Sequence, residues 1–128
     1  MSHFSHIKTR ICDLNALKSS LTDLDIKWKP GPAQVRGYQG QTHDANIVIE
    51  QSNDHDIGFA WNGNEYSLIA DVQFWQQPLS VEGFLQKVTQ RYAYHKIINE
   101  TALQGFELTE QQQQKDGSIR LVVQRWRH

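Results

Sequence analysis

The sequence predicts an α+β fold, a two-layer sandwich in which a mainly antiparallel sheet carries two helices on one face. Three observations predict it. Asn62-Gly63 stands between two runs of alternating apolar residues, the strongest short-range signal for a β-hairpin. A long apolar stripe at three-to-four-residue spacing, from Val81 to Ile98, marks a helix able to cross a whole small sheet. The elements follow in the order β-α-β, β-meander, helix, β-hairpin, so consecutive strands pair antiparallel and two one-striped helices need a single sheet face. The order contains β-α-β-β-α-β, which makes a ferredoxin-like relative the first expectation.

The elements run as follows. Residues 2–11 alternate Ile7, Thr9 and Ile11 against Lys8 and Arg10, an opening strand. Asp13 offers an N-cap to a helix whose Leu14, Leu17, Leu21 and Leu24 share one face. A short strand is expected over 26–28. Pro30-Gly31-Pro32, Gly37 and Gly40 then break regular structure, so residues 29–44 read as a long loop, a candidate site by position.

Residues 46–51 and 57–61 are strands, with Ile57, Phe59 and Trp61 on one face. A type I′ turn at Asn62-Gly63 leads to a strand carrying Tyr66, Leu68, Ala70, Val72 and Phe74 on one face. Ser80 caps the long helix, about 24 residues or ~36 Å, and Gly105 closes it. Strands over 106–112 and 119–126 finish the chain, turned through Lys115-Asp116-Gly117.

Composition bounds the function. The 128 residues suit one domain, 1–128, and thirteen aromatics (Phe 5, Trp 4, Tyr 4) suffice for one core. A net charge of −1 supplies no field for nucleic acid or anionic lipid. Cys12 is the single cysteine, which excludes an internal disulfide and every zinc site with two thiolates, and favours a reducing compartment. No signal-peptide run and no stretch of about 18 apolar residues is present, so neither secretion nor a membrane span is expected.

The start Met1-Ser2-His3-Phe4-Ser5 with Ile7-Lys8-Thr9, the stretch Gln90-Arg91-Tyr92-Ala93-Tyr94-His95 and the ending Gly117-Ser118-Ile119-Arg120-Leu121 resemble the plastid and cyanobacterial family called hypothetical chloroplast open reading frame thirty-five. The resemblance covers residues 1–126. It implies a phototroph origin and a home in plastid stroma or cyanobacterial cytoplasm, and it carries no activity, cofactor or catalytic residue.

No local motif names a reaction: Gly-x-Ser-x-Gly, a phosphate loop and His-Glu-x-x-His are all missing. His3 and His6, three apart on a strand, point to opposite faces. His43-Asp44 and Asp54-His55-Asp56 read as turn polarity rather than ligand sets, so no metal and no cofactor is expected. Cys12, between strand and helix, reads as a small buried hydrophobe rather than a nucleophile. The tryptophans Trp28, Trp61, Trp75 and Trp126 read as core and rim packing.

The densest functional group is Arg91, Tyr92, Tyr94, His95 and Lys96. Tyr92 continues the apolar stripe, while Arg91, Tyr94, His95 and Lys96 lie toward the helix flank, where with Trp61 they form a candidate surface for a partner or ligand. The expected function is that of a small non-enzymatic accessory or adaptor protein with a protein partner. The alternative is a small-molecule or pigment-binding protein, or an enzyme, with a pocket between sheet and helices lined by Trp61, Phe74, Tyr92 and His95.

Overall fold

Five strands form one sheet in the computed structural model, which describes residues 3–103 in full and residues 106–113 and 119–125 as backbone. In chain order the elements are β1 (Ser5–Ile7), α1 (Leu14–Asp23), β2 (Lys29–Arg36), β3 (Thr42–Ile49), β4 (Ile57–Trp61), β5 (Tyr66–Ala70), α2 (Val81–Leu103), β6 (Phe106–Gln113) and β7 (Ile119–Arg125). Strands β2 to β5 are a meander, and β1 adds to the far side of β5, giving the order β1-β5-β4-β3-β2 with every pair antiparallel. Strands β6 and β7 pair as a sheet of their own. The α+β class and the two helices on one sheet face are as the sequence predicts.

Alternation along the strands gives the sheet two apolar faces. Ile57 and Phe59 of β4 and Tyr66, Leu68 and Ala70 of β5 join Leu17 and Leu21 of α1 and Phe84, Val88 and Tyr92 of α2 in the main core. Fully burying each large side chain contributes roughly 1.5–3 kcal/mol. The opposite face holds Val48, Ala60 and Ile69, and these are buried too, together with Val35 and Ala45.

What covers that second face is the segment expected to be a loop. Residues 29–44 are not a loop: they are β2, a 3₁₀ turn at Tyr38–Gly40 and the first part of β3, a long hairpin that folds back over the sheet. If β3 were straight, its seven steps from Ile49 to Thr42 would span roughly 23 Å. Yet Arg36, the partner of Thr42, exchanges hydrogen bonds with Asp56, the neighbour of Ile57, which is the partner of Ile49. The hairpin is therefore bent back on itself. Its distal half lays Ala33, Val35 and Ala45 on the sheet, and the rings of His43 and His6 of β1 meet at 4.9 Å.

The bend is built from particular residues. Pro30 pairs with Ile47 and Ala33 with Ala45, so Gly31 and Pro32, two residues, stand against the single Asn46 and β2 bulges there. Proline is tolerated at such an edge because no ladder bond needs its missing N–H. A Cβ on Gly31 would lie 2.5 Å from the Ala45 carbonyl oxygen, so only glycine fits that crossing of backbones. Across the bend the Asn46 carboxamide accepts the Trp61 backbone N–H at 2.9 Å, replacing a ladder bond.

Other boundaries shift for local reasons. No strand forms over 26–28, because the chain there leaves α1 through Asp25, which has positive φ. The β4–β5 connection is not a two-residue type I′ turn. Trp61 pairs with Tyr66, and in the four residues between them only Gly63 has positive φ, while the Asn62 side chain accepts the N–H groups of Asn64 and Glu65. Strand β5 ends at Ala70, not at Phe74, because the Asp71 carboxylate accepts the Gln73 N–H and starts a 3₁₀ turn over Val72–Phe74. Asp13 and Ser80 cap α1 and α2 as expected. Gly105, Lys115, Asp116, Gly117 and Trp126 lie outside the described residues.

Gly58 of β4 faces the folded-back hairpin, and a Cβ there would collide with a Val35 methyl and approach the Ala45 Cβ to 3.0 Å. We expect Gly58→Val to lower stability by about 1–3 kcal/mol in urea unfolding, as overpacking does. Limited proteolysis of that variant should cut first near residues 37–41.

Asp56 supplies a second expectation. Burial raises its carboxyl pKa, but hydrogen bonds from the Arg36 side chain and backbone outweigh burial and hold it below the ordinary carboxylate value. A group more acidic folded than unfolded stabilises the fold above its unfolded value of about 3.9, and the contribution is lost as pH falls through the folded value. The stability gap between wild type and Asp56→Asn should thus be widest above about pH 5 and close below about pH 4 in denaturant titrations.

Candidate functional site

One stretch of α2 holds both ends of α1. Helical spacing places Arg91 and Tyr92 one turn before His95 and Lys96, so the four side chains reach out from adjoining faces. At the start of α1 the Tyr92 hydroxyl accepts the backbone N–H groups of Cys12 and Asp13, each at 3.1 Å. Lys96 Nζ stands 3.7 Å from Asp13 Oδ2 and 3.3 Å from Glu100 Oε1. At the other end, Asp23 Oδ2 accepts from Arg91 Nε at 2.7 Å and from His95 Nε2 at 2.6 Å.

The electrostatics follow the contacts. Burial raises the Asp23 carboxyl pKa, and hydrogen bonds from Arg91 and His95 reverse that to leave it below the ordinary value. Burial raises the Tyr92 phenol pKa, which keeps the hydroxyl neutral. The hydrogen bond to Glu100 raises the Lys96 ammonium pKa.

Arg91, His95 and Lys96 are thus brought together, as helix-to-helix ties. Tyr94 joins them from outside, with the Arg91 guanidinium 4.2 Å from its ring centroid and the His95 ring edge-on at 5.2 Å. Trp61 is placed elsewhere: it rests on Tyr66 at 5.0 Å and stays 47% exposed. The four residues expected to line a sheet–helix pocket have separate neighbourhoods. Trp61 is on Tyr66, Phe74 lies between the rings of Tyr38 and His55, Tyr92 is at Cys12, and His95 is at Asp23. Cys12, expected to be buried, is exposed, with its Sγ 3.7 Å from the Tyr92 hydroxyl.

Sequence reasoning missed a hollow along the helices. A groove of about 250 Å³ opens where α1 ends and α2 begins, walled by Leu24, Ile26, Pro78, Leu79 and Phe84, with Gln77 and Lys87 as its polar lining. Its outer wall is held firmly. The Trp75 indole N–H donates to the Leu79 carbonyl at 2.7 Å, and the Trp75 ring meets Phe84 edge-on at 5.2 Å. Gln51, only 7% exposed, accepts the Gln76 N–H at 2.8 Å and the Gln77 side-chain amide at 3.1 Å through one oxygen. Its own amide donates to the carbonyls of His55 and Phe74. No pattern in sequence marks Gln51 for this role; Pro78 followed by the exposed Leu79 was the available hint of the groove.

The family model described as a protein of unknown function, DUF1257, matches residues 20–122, from within α1 to within β7. The chain belongs to the DUF1257 family. It is 55% identical to the uncharacterised protein ycf35 of Guillardia theta over 99% of both chains. It is 51% identical to that of Pyropia yezoensis and 50% identical to that of Cyanophora paradoxa, each over the full length of both chains. The family resemblance read from the terminal and helical motifs is therefore shown. No solved structure matches the chain. The DUF1257 name carries no reaction, so the roles of its residues here rest on geometry.

The ties at α1 have a measurable weight. Tyr92→Phe removes the acceptor for two backbone N–H groups and should cost about 1–2 kcal/mol in urea unfolding. Tyr94→Phe, which keeps the ring over Arg91, should leave stability within about 0.5 kcal/mol of wild type.

Proposed function

We propose that this chain is a non-enzymatic accessory protein of a phototroph, at home in plastid stroma or cyanobacterial cytoplasm, that acts by holding a partner protein. The observation that carries the reading is the apolar groove between the end of α1 and the start of α2, with walls fixed by Trp75 and Gln51. Pre-built apolar walls with few polar groups accept a partner's hydrophobic side chain without an ordering cost. A reaction would need converging acid, base or nucleophile groups; Asp13, Asp23, Arg91, His95 and Lys96 are tied between the helices, and the groove itself is lined by a single charged side chain, Lys87, among the described residues.

The surface continues from the groove along α2. Lys87, Arg91 and Tyr94 succeed one another at spacings of four and three, so one flank leads from the hollow to the Arg91–Tyr94 stack. Arg91, Tyr94, His95 and Lys96 are then the partner-facing side of the same residues that bind α1, and Trp61 is a separate exposed contact. Among the described residues no helix is long and apolar enough to cross a membrane.

Tagged protein purified from its native cell should bring down one stoichiometric partner. A photo-reactive side chain at Leu79 should crosslink to that partner, one at Gln34 on β2 should not, and Leu79→Asp should release it. A chain that elutes alone, or whose melting temperature rises with a small metabolite instead, would overturn the proposal.

A further inference from the structure

We infer that the segment this groove takes is acidic as well as apolar: a bulky hydrophobic side chain flanked by carboxylates of the partner protein. The inference rests on the reading of the groove as a protein-binding site, and it comes from the charges around it.

The cations among the described side chains divide into two groups. Lys29, Arg36, Arg91 and Lys96 each have a carboxylate of the chain within ion-pair distance. Among the described residues, Lys8, Arg10, Lys18, Lys27 and Lys87 have none. Lys8 and Arg10 follow β1 and line neither hollow, while the other three lie around the groove and the basin beside it. Lys87 lines the groove itself; Lys27 lines a shallower basin that shares Ile26 with it; Lys18 stands 5.6 Å from the centroid of Trp28, another wall of that basin. Among the described residues Asp25 is the one carboxylate lining either hollow, against Lys27 and Lys87, so this described lining is net positive although the whole chain carries −1.

A lysine stem packs on apolar surface while its ammonium stays in water, as Lys18 does over Trp28, so these side chains leave positive charge at the rim. That charge matters when an anion arrives, by steering the encounter and by fixing register along the groove. The concavity decides between two acidic partners. Anionic lipid would need apolar side chains projecting outward into the headgroup layer. Here Leu24, Ile26 and Phe84 form the walls of a hollow, which suits one inserted side chain.

The test uses the full-length protein and fluorescein-labelled peptides of about twelve residues, read by anisotropy. One peptide has a phenylalanine among glutamates, a second has lysines in place of the glutamates, and a third keeps the glutamates around an alanine. The first should bind at least about tenfold more tightly than either of the others, a difference of about 1.4 kcal/mol. High salt should weaken it, because rim charges are screened. Lys27→Glu with Lys87→Glu should cost about tenfold in affinity or more and shift preference toward the lysine peptide. Lys8→Glu with Arg10→Glu, away from the groove, should change nothing, and matching melting temperatures verify that both variants fold.

Equal binding of the glutamate and lysine peptides would overturn the inference, as would full binding by the Lys27 and Lys87 variant. Recruitment by anionic vesicles without peptide binding would overturn it too. A native partner that crosslinks at Leu79 but ignores the lysine reversals would sink this inference and leave the accessory reading standing. If neither peptide nor partner engages Leu79, both fall.

Discussion

The Asp56 side chain is 1% exposed, and a carboxylate so placed is tolerable only when its charge is answered and its oxygens are hydrogen-bonded. Arg36 does both. Its Nε and backbone N–H donate to Oδ2, at 2.8 and 2.9 Å, and its Nη2 donates to Oδ1 at 2.9 Å. The pairing also closes a backbone bond, the Asp56 N–H donating to the Arg36 carbonyl. Two helices cover only one face of the sheet, and this contact holds the hairpin of β2 and β3 over the other. Without it Val48, Ala60 and Ile69 would face water, and the sheet would have a single apolar layer to rest on.

The same contact reaches the groove through Gln51. Asp56 is followed by β4 and preceded by a turn in which Gln51 accepts and donates in four directions. Two of those bonds hold the segment that walls the hollow, and one holds the Phe74 carbonyl. Phe74 in turn lies between His55 and Tyr38, the latter at the tip of the folded-back hairpin. The hairpin, the 3₁₀ turn at Val72–Phe74 and the groove wall are therefore one continuous set of contacts. That continuity explains how a short segment with Pro78 and an exposed Leu79 keeps a defined shape.

How much of this could be read in advance depended on the range of the interaction. The caps at Asp13 and Ser80, the α2 stripe of Phe84, Val88 and Tyr92 and the alternation in β4 and β5 are local signals, and the structure follows them. The folded-back hairpin was hidden because Pro30, Gly31 and Pro32 are loop residues by local rule. Their use at a bulged edge depends on Ala45 and Asn46, which lie across the hairpin. The grouping of Arg91, His95 and Lys96 was legible from helical spacing. Their partners Asp13 and Asp23 were not, since they belong to a helix nearly seventy residues or more away in sequence. Cys12 was misjudged because its type is usually buried, whereas here its backbone N–H, tied to Tyr92, decides where it sits.

Helix α2 divides its labour by face. Phe84, Val88 and Tyr92, at steps of four, enter the core. Lys87, Arg91 and His95, also at steps of four, run along the seam with α1. On that row Arg91 and His95 share the single carboxylate of Asp23. Lys87, one turn earlier, faces the apolar end of the seam, where Leu24 and Ile26 follow Asp23 in the chain. Lys87 has no carboxylate within ion-pair distance among the described residues, so its ammonium is left to solvent while its stem lines the hollow. Its position, at the mouth of a hollow with fixed walls, ties the charge of the row to whatever enters there.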